Sequence, residues 1–168
     1  MIKRPIPPSH LSKVLQNLNT GPRLALDRNL KAVRLRMVKD EHVGARHFVK
    51  DELPRIRWAN PALDIQVDEV TRGIARPEME VEYENGATKT IDMSHKWSTA
   101  ITKELMDIAG GDAWKAYRAA AMKAGHPLLP GEDRERVVAA SRAVRRDSSA
   151  EMLGAPDRPR TGAAAILP

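Results

Sequence analysis

The segment PEMEVEYENGATKTIDM, Pro77 to Met93, restricts what this chain can fold into more than any other stretch. Met79, Val81 and Tyr83 alternate with Glu78, Glu80, Glu82 and Glu84, the period of two that sends apolar side chains to one face of a strand and carboxylates to the other. Asn85-Gly86 then supplies residues that accept the positive backbone angles of a type I′ turn, and Thr88 to Met93 returns as a second strand. Any fold of this chain must therefore contain an antiparallel hairpin here.

Two further strands are readable upstream. In KAVRLRMV, Val33, Leu35 and Met37 fall on one face and Arg34 and Arg36 on the other, predicting a strand that is oily on one side and cationic on the other. Leu63, Ile65 and Val67 alternate with Asp64, Gln66 and Asp68 in the same way. Between them a helix opens at Gly44, with Ala45, Phe48, Val49 and Glu52 sharing a side, so Phe48 and Val49 are expected to face the sheet. Pro54 lacks a backbone donor and is expected to interrupt that helix, leaving PRIRWANP as a separate turn that carries Ile56 and Trp58 inward, with Asn60-Pro61 as its exit. A helix joining two strands implies a right-handed parallel crossover.

After the hairpin, Ile101, Leu105 and Ile108 recur at helical spacing from Ser98 to Ala109, and Gly110-Gly111 ends the pattern. Lys31 to Gly111 thus reads strand, helix, strand, strand, strand, helix: an α/β unit, β-α-β-β-β-α, around a mixed four-stranded sheet.

Flanking segments complete a three-part expectation: a basic N-terminal arm over 1–30, the α/β domain over 31–111 and a helical extension over 112–168. In the arm, Ser9 caps a short helix whose Leu11, Val14, Leu15 and Leu18 are expected to dock on the domain. In the extension, Asp112 starts a helix to about Lys123 that sets Trp114, Tyr117 and Ala121 against a neighbour; Gly125 to Pro130 breaks it; Glu132 to Arg146 forms another. From Ser148 onward small residues and prolines predict an extended tail that orders only against a partner.

Composition removes whole classes of function. Cysteine is absent, which excludes disulfides, thiolate metal sites and thiol redox chemistry. No run approaches the roughly 18 apolar residues that a membrane-spanning helix needs. The net charge of +6 is unevenly spread: residues 1–60 carry 13 Lys and Arg against 5 Asp and Glu, 61–111 carry 5 against 10, and 112–168 carry 10 against 7. A basic first third points to an anionic partner such as a phosphate backbone. The first twenty-six residues contain Lys3, Arg4, Lys13 and Arg23 and no acidic residue, as organelle transit sequences do, which predicts import into the mitochondrial matrix.

No catalytic or metal constellation emerges. His10, His42, His47, His95 and His126 are scattered and lack the i, i+4 pairing of a helical zinc site. Asp92, Ser94 and His95 are too nearly consecutive to converge as orienter, nucleophile and base, and Ser94 to Ser98 reads as a strand-to-helix turn. The hairpin glutamates lie about 7 Å apart along one face, the pattern of a solvated or partner-facing surface. GARHF lacks the lysine and spacing of a phosphate-cradling loop. The expectation is a non-enzyme with no cofactor, no metal and no small-molecule substrate.

What remains is the basic set. Lys3, Arg4, Lys13, Arg23, Arg28, Lys31, Arg34, Arg36, Arg46, Lys50, Arg55 and Arg57 are the candidate contacts to RNA phosphates, with Arg46 expected in the first turn of its helix where exposed amides favour an anion. Trp58 has two readings, stacking on a base or packing in the core.

Gly44-Ala45-Arg46, Phe48-Val49, Leu53-Pro54, Trp58 and Asn60-Pro61 resemble the thioredoxin-like domain shared by several mitochondrial ribosomal proteins and a small accessory subunit of respiratory complex I. The resemblance spans about Lys31 to Ala109, and the arm LSKVLQNLNTG looks most like the fungal large-subunit branch. It implies a structural role in the mitochondrial large ribosomal subunit, binding rRNA and neighbouring ribosomal proteins; a small-subunit protein and a complex I accessory subunit acting as a protein-binding module are the alternatives it leaves. His42 to Ala45 stand where thioredoxins carry their dithiol, and Pro77 stands where they keep a cis-proline.

Overall fold

The computed structural model describes residues 9–38, 40–70 and 76–153. The chain divides into two compact units, Met1–Glu132 and Asp133–Pro168.

The first unit is built on a four-stranded sheet in the order β2-β1-β3-β4, with β1 Leu30–Val38, β2 Asp64–Val70, β3 Glu78–Tyr83 and β4 Thr88–Asp92. β1 runs parallel to β2 and antiparallel to β3, and β3 runs antiparallel to β4, so the sheet is mixed. All four strands form where the sequence places them: β1, β2 and β3 alternate apolar and polar residues, and β4 returns from the hairpin turn with Ile91 inward. Val33, Leu35 and Met37 of β1, Met79 and Val81 of β3 and Ile91 of β4 point to one side and are buried. The helices cover that side, and Phe48, Leu53, Ile56, Ile101, Leu105 and Met106 complete a single core.

The β1–β2 crossover is one helical run in three pieces: α2 Val43–His47, a π-helical turn Phe48–Glu52, and α3 Leu53–Ala59. Pro54 does not end the helix, which corrects the expectation of a separate turn. In an ordinary α-helix the proline ring would strike the carbonyl four residues back. The π turn removes that conflict: the Leu53 N–H donates to the Phe48 carbonyl five residues away, and Pro54 then occupies the first turn of α3. Because Ile56 and Trp58 sit two positions apart on a continuous helix, they face nearly opposite ways. Ile56 is buried, and Trp58 is 58% exposed, so the inward reading of Trp58 is also corrected.

The hairpin forms where expected but with a different turn. Gly86 has φ +78°, whereas Asn85 does not adopt a positive φ. The Gly86 N–H donates to the Tyr83 carbonyl at 3.0 Å and the Tyr83 N–H to the Ala87 carbonyl at 2.9 Å. This is a three-residue loop, a type I turn closed by a left-handed glycine, in place of the two-residue I′ turn. Asn85 contributes through its side chain, whose Oδ1 accepts from the Ala87 N–H at 2.9 Å.

Helix α4 Ser98–Ala109 packs on the sheet, and α5 Asp112–Ala124 follows, with Trp114 buried and Tyr117 half-exposed. The Trp114 indole N–H donates to Asp107 at 3.1 Å. Gly125, with φ +69°, caps α5 in the left-handed conformation. Helix α1 His10–Leu18 is capped by Ser9, whose hydroxyl accepts from the Ser12 N–H, but it buries no residue: Leu11 is 67% exposed, with Val14 and Leu15 also exposed. The expected docking is therefore partial: α1 meets α3, with Leu18 half-buried, while the rest of its apolar stripe stays exposed.

In the second unit the chain continues as α6, Glu132–Leu153, longer than the helix to Arg146 read from the sequence. Ser148 to Leu153 are helical, where an extended tail was expected. Residues 154–168, the rest of that tail, lie outside the described residues, as do 71–75 of the loop after β2. The peptide bond before Pro77 is trans.

Candidate nucleic-acid interface

The sheet has a second side, and no other described element of its unit covers it. β1 contributes Arg34 and Arg36 there, both exposed. Register decides their electrostatics. Arg34 lies opposite Glu80 of β3 and Gln66 of β2, and Arg36 lies opposite Glu78 and Asp68. Glu82 accepts from Lys31 at 2.6 Å and pairs with Arg34 at 3.3 Å. The hydrogen bond from Lys31, aided by the charges of Lys31 and Arg34, holds the Glu82 carboxyl below its ordinary value of 4.5. Asp64 and Asp92 join the same face through their partners Ala32 and Glu78. Six carboxylates, Asp64, Asp68, Glu78, Glu80, Glu82 and Asp92, thus surround Lys31, Arg34 and Arg36. The face of β1 itself is cationic as expected, and the carboxylates of the neighbouring strands make the open side of the sheet as a whole acidic.

Positive charge collects elsewhere. Arg46 on α2 and Lys50 on the π turn are exposed and form no ion pair among the described residues. Arg46 is the fourth residue of the five-residue α2, and its own N–H donates to the His42 carbonyl at 2.9 Å, so its side chain and not its amide is what an anion could meet. Lys13 on α1, Arg23 in the segment after it and Arg28 in the turn before β1 are exposed too. Arg57 is exposed on α3 and donates to the Ile65 carbonyl at 3.1 Å. Lys3 and Arg4 lie outside the described residues.

Arg55 differs from the rest of the set. Its side chain is 4% exposed and pairs with Glu52, also buried, at 2.6 Å. Its Nη2 donates to the carbonyls of Thr20 at 2.5 Å and Pro22 at 3.2 Å. A guanidinium buried and engaged in this way is an internal tie between α3 and the 19–24 segment, and it is not a surface contact for RNA. Gly21 makes room for it: φ there is +80°, and a Cβ would sit 3.0 Å from the Arg55 Nη2 and 2.9 Å from Pro130.

Sequence reasoning missed a second tie. Asn60, at the C-terminal end of α3, accepts from the Leu26 N–H at 2.9 Å and donates to the carbonyls of Leu24 at 2.9 Å and Ile56 at 2.8 Å. The signal was present in part, since Asn60-Pro61 marked the end of the helix, but only the fold brings Leu24 and Leu26 alongside.

Around Trp58, the residues Leu18, Pro22, Arg23, Arg55 and Ala59 line a groove of about 360 Å³ between α1, the 19–24 segment and α3. No acidic residue lines it. Among the described residues no cluster of His, Asp or Glu is arranged to hold a metal, and no helix is long and apolar enough to cross a membrane. Ser94 to Trp97 form the turn between β4 and α4, where the Asp92 carboxylate accepts from the Ser94 N–H at 2.8 Å.

No curated protein matches the chain. The family model described as the mitochondrial ribosomal protein L51 / S25 / CI-B8 domain matches residues 45–98, from α2 through the hairpin to the first residue of α4. That family covers mitochondrial ribosomal proteins and complex I subunits, structural parts of mitochondrial assemblies. It is the family that Gly44 to Pro61 resembles, and residues 45–98 are similar to it.

Proposed function

We propose that the protein is a structural component of the mitochondrial ribosome, in the large subunit and the matrix, that binds rRNA and neighbouring ribosomal proteins and catalyses nothing. The observation that carries this reading is the separation of charge within the first unit. Lys13, Arg23, Arg28, Arg46, Lys50 and Arg57 are exposed without a carboxylate partner among the described residues, while carboxylates gather on the open side of the sheet. The cations suit a phosphate backbone, whose condensed counterions they displace. The acidic sheet face suits the basic proteins of a ribonucleoprotein particle. In this division of labour the arm, residues 1–30, works with the first helix of the domain, residues 31–111, on RNA, while the acidic hairpin of that domain and the extension, residues 112–168, contact proteins.

The strand order β2-β1-β3-β4, with only β3 antiparallel to β1, supports the thioredoxin-like reading. With no cysteine in the chain, such a scaffold offers surfaces and no dithiol chemistry.

The test is sedimentation of mitochondrial lysate. The protein is expected to travel with the large ribosomal subunit and to leave it after nuclease treatment. Migration with the small subunit would move the branch and keep the class. The acidic open face also favours a second reading, a complex I accessory subunit that docks protein alone. In that case the protein would migrate with the membrane respiratory complex and ignore nuclease.

A further inference from the structure

We infer that the groove beside Trp58 receives one unpaired base of single-stranded RNA, stacked on the indole, with Arg23 at its rim taking the adjoining phosphate. This deepens the proposed RNA-binding role and rests on it.

Three observations lead there. Trp58 is 58% exposed although its neighbour Ile56 is fully buried, so the largest aromatic side chain of α3 is spent on the surface. A stacking platform for a base is such a side chain: flat, exposed and bordered by cations. The groove it borders, about 360 Å³, is of a size for one small-molecule unit such as a nucleotide.

Charge restricts the occupant. Arg23 and Arg55 are the charged residues of the lining, and Ser9 to Leu26, which forms one wall, contains no Asp or Glu. A basic protein segment would find nothing there to pair with, whereas a phosphate would.

The experiment uses the full chain and a short unstructured RNA oligonucleotide, with a duplex RNA of the same length in parallel. Binding is followed by tryptophan fluorescence and by anisotropy of a labelled oligonucleotide. Single-stranded RNA is expected to quench the emission, and Trp58→Ala to weaken its binding about 10-fold, in keeping with the loss of one stacked base. Trp58→Phe is expected to retain most of the affinity, and duplex binding is expected to be the same in all three proteins, because paired bases cannot reach the indole. An unchanged melting temperature of Trp58→Ala would show that the exposed substitution leaves the fold intact.

Equal affinity of Trp58→Ala and the wild type for the single strand would overturn the inference while the RNA-binding role stood, provided that neutralising Arg46 and Lys50 still weakened both RNAs. Failure of the wild type to bind either RNA would remove the inference together with that role. Protection of Trp58 by a protein neighbour in the native particle, with no RNA crosslink to it, would assign the groove to protein and overturn the inference as well.

Discussion

A Cβ built on Gly44 would lie 1.8 Å from the carbonyl oxygen of Lys96, so the first turn of α2 rests directly on the backbone of the turn that leads into α4. The obstacle is main chain, which cannot rotate away as a side-chain tip would. Gly44→Ala is expected to destabilise the first unit by about 1–3 kcal/mol, the cost of overpacking, even though alanine is the better helix former. Gly111→Ala is the control: its surroundings are open and its φ of −74° suits any residue, so no loss is expected. Urea unfolding followed by circular dichroism would compare the two.

Asn60 fastens the approach to β1 onto α3, and its removal would leave the Leu26 N–H and the Leu24 carbonyl, both part-buried, without partners. Asn60→Ala is expected to cost about 2–4 kcal/mol, since each orphaned buried group costs roughly 1–3. Asn60→Asp should be nearly as harmful, because the carboxylate keeps the acceptor for Leu26 but places a second acceptor against the Leu24 and Ile56 carbonyls. Hydrogen exchange at Leu26 would report the loss directly, rising in Asn60→Ala well before the strands of the core exchange.

How much of this could be read from the residues depends on whether local pattern or tertiary register decides. The alternations at Val33 to Met37, Leu63 to Val67 and Met79 to Tyr83 were sufficient for the strands, and Ile101, Leu105 and Gly110 for α4. Pro54 misled because the π turn that accommodates it leaves no mark in composition, and the turn also fixes the helical phase that buries Arg55 and exposes Trp58. Arg55 and Arg57 are alike in sequence; only helical phase makes one an internal tie and the other a surface cation. Arg34 and Arg36 were legible as the polar face of β1, but the carboxylates opposite them come from strands that pairing brings in. The free cations Arg46 and Lys50 were visible from the start, because exposure is the default for such residues.

The Arg55–Glu52 pair gives a third prediction. Arg55→Met would remove the countercharge 2.6 Å from the buried Glu52 carboxylate and the donors to the Thr20 and Pro22 carbonyls, and is expected to cost about 3–5 kcal/mol. The double variant Arg55→Met, Glu52→Leu removes both charges and should regain much of that loss, although the two carbonyls stay unpaired. A double-mutant cycle from urea midpoints measures the coupling, and additive single effects would show that the pair is not a unit.

Acid should weaken the open sheet face. The pKa of Glu82 is lowered, chiefly by the hydrogen bond from Lys31, and that of Asp92 is lowered, chiefly by hydrogen bonds from Ser94. A depressed folded pKa means that the unfolded chain takes up protons first, so the contribution to stability is complete above the ordinary value of 4.5 for Glu82 and is lost as pH falls through the lower folded value. Glu82→Gln is therefore expected to be less stable than the wild type at pH 7 and to converge with it as pH falls below 4.5 and through the lower folded value. Unfolding midpoints across that range, at low salt, would show the convergence; parallel curves would mean that Lys31 and Glu82 do not interact in solution.

The charge arrangement separates two pairs of arginines and lysines that are indistinguishable by composition. Arg34 and Arg36 project among Asp68, Glu78, Glu80 and Glu82, so a phosphate approaching them meets the carboxylates as well. Arg46 and Lys50 form no ion pair among the described residues. Replacing Arg46 and Lys50 with glutamine is expected to weaken binding to rRNA fragments and to lower the slope of log affinity against log salt by about 1.4–1.8, the value for two lost phosphate contacts. Replacing Arg34 and Arg36 should leave that slope nearly unchanged and should instead lower the stability of the sheet. If both double variants lowered the slope equally, the acidic face would be an RNA surface despite its carboxylates, and the division of labour between the two sides of the domain would be wrong.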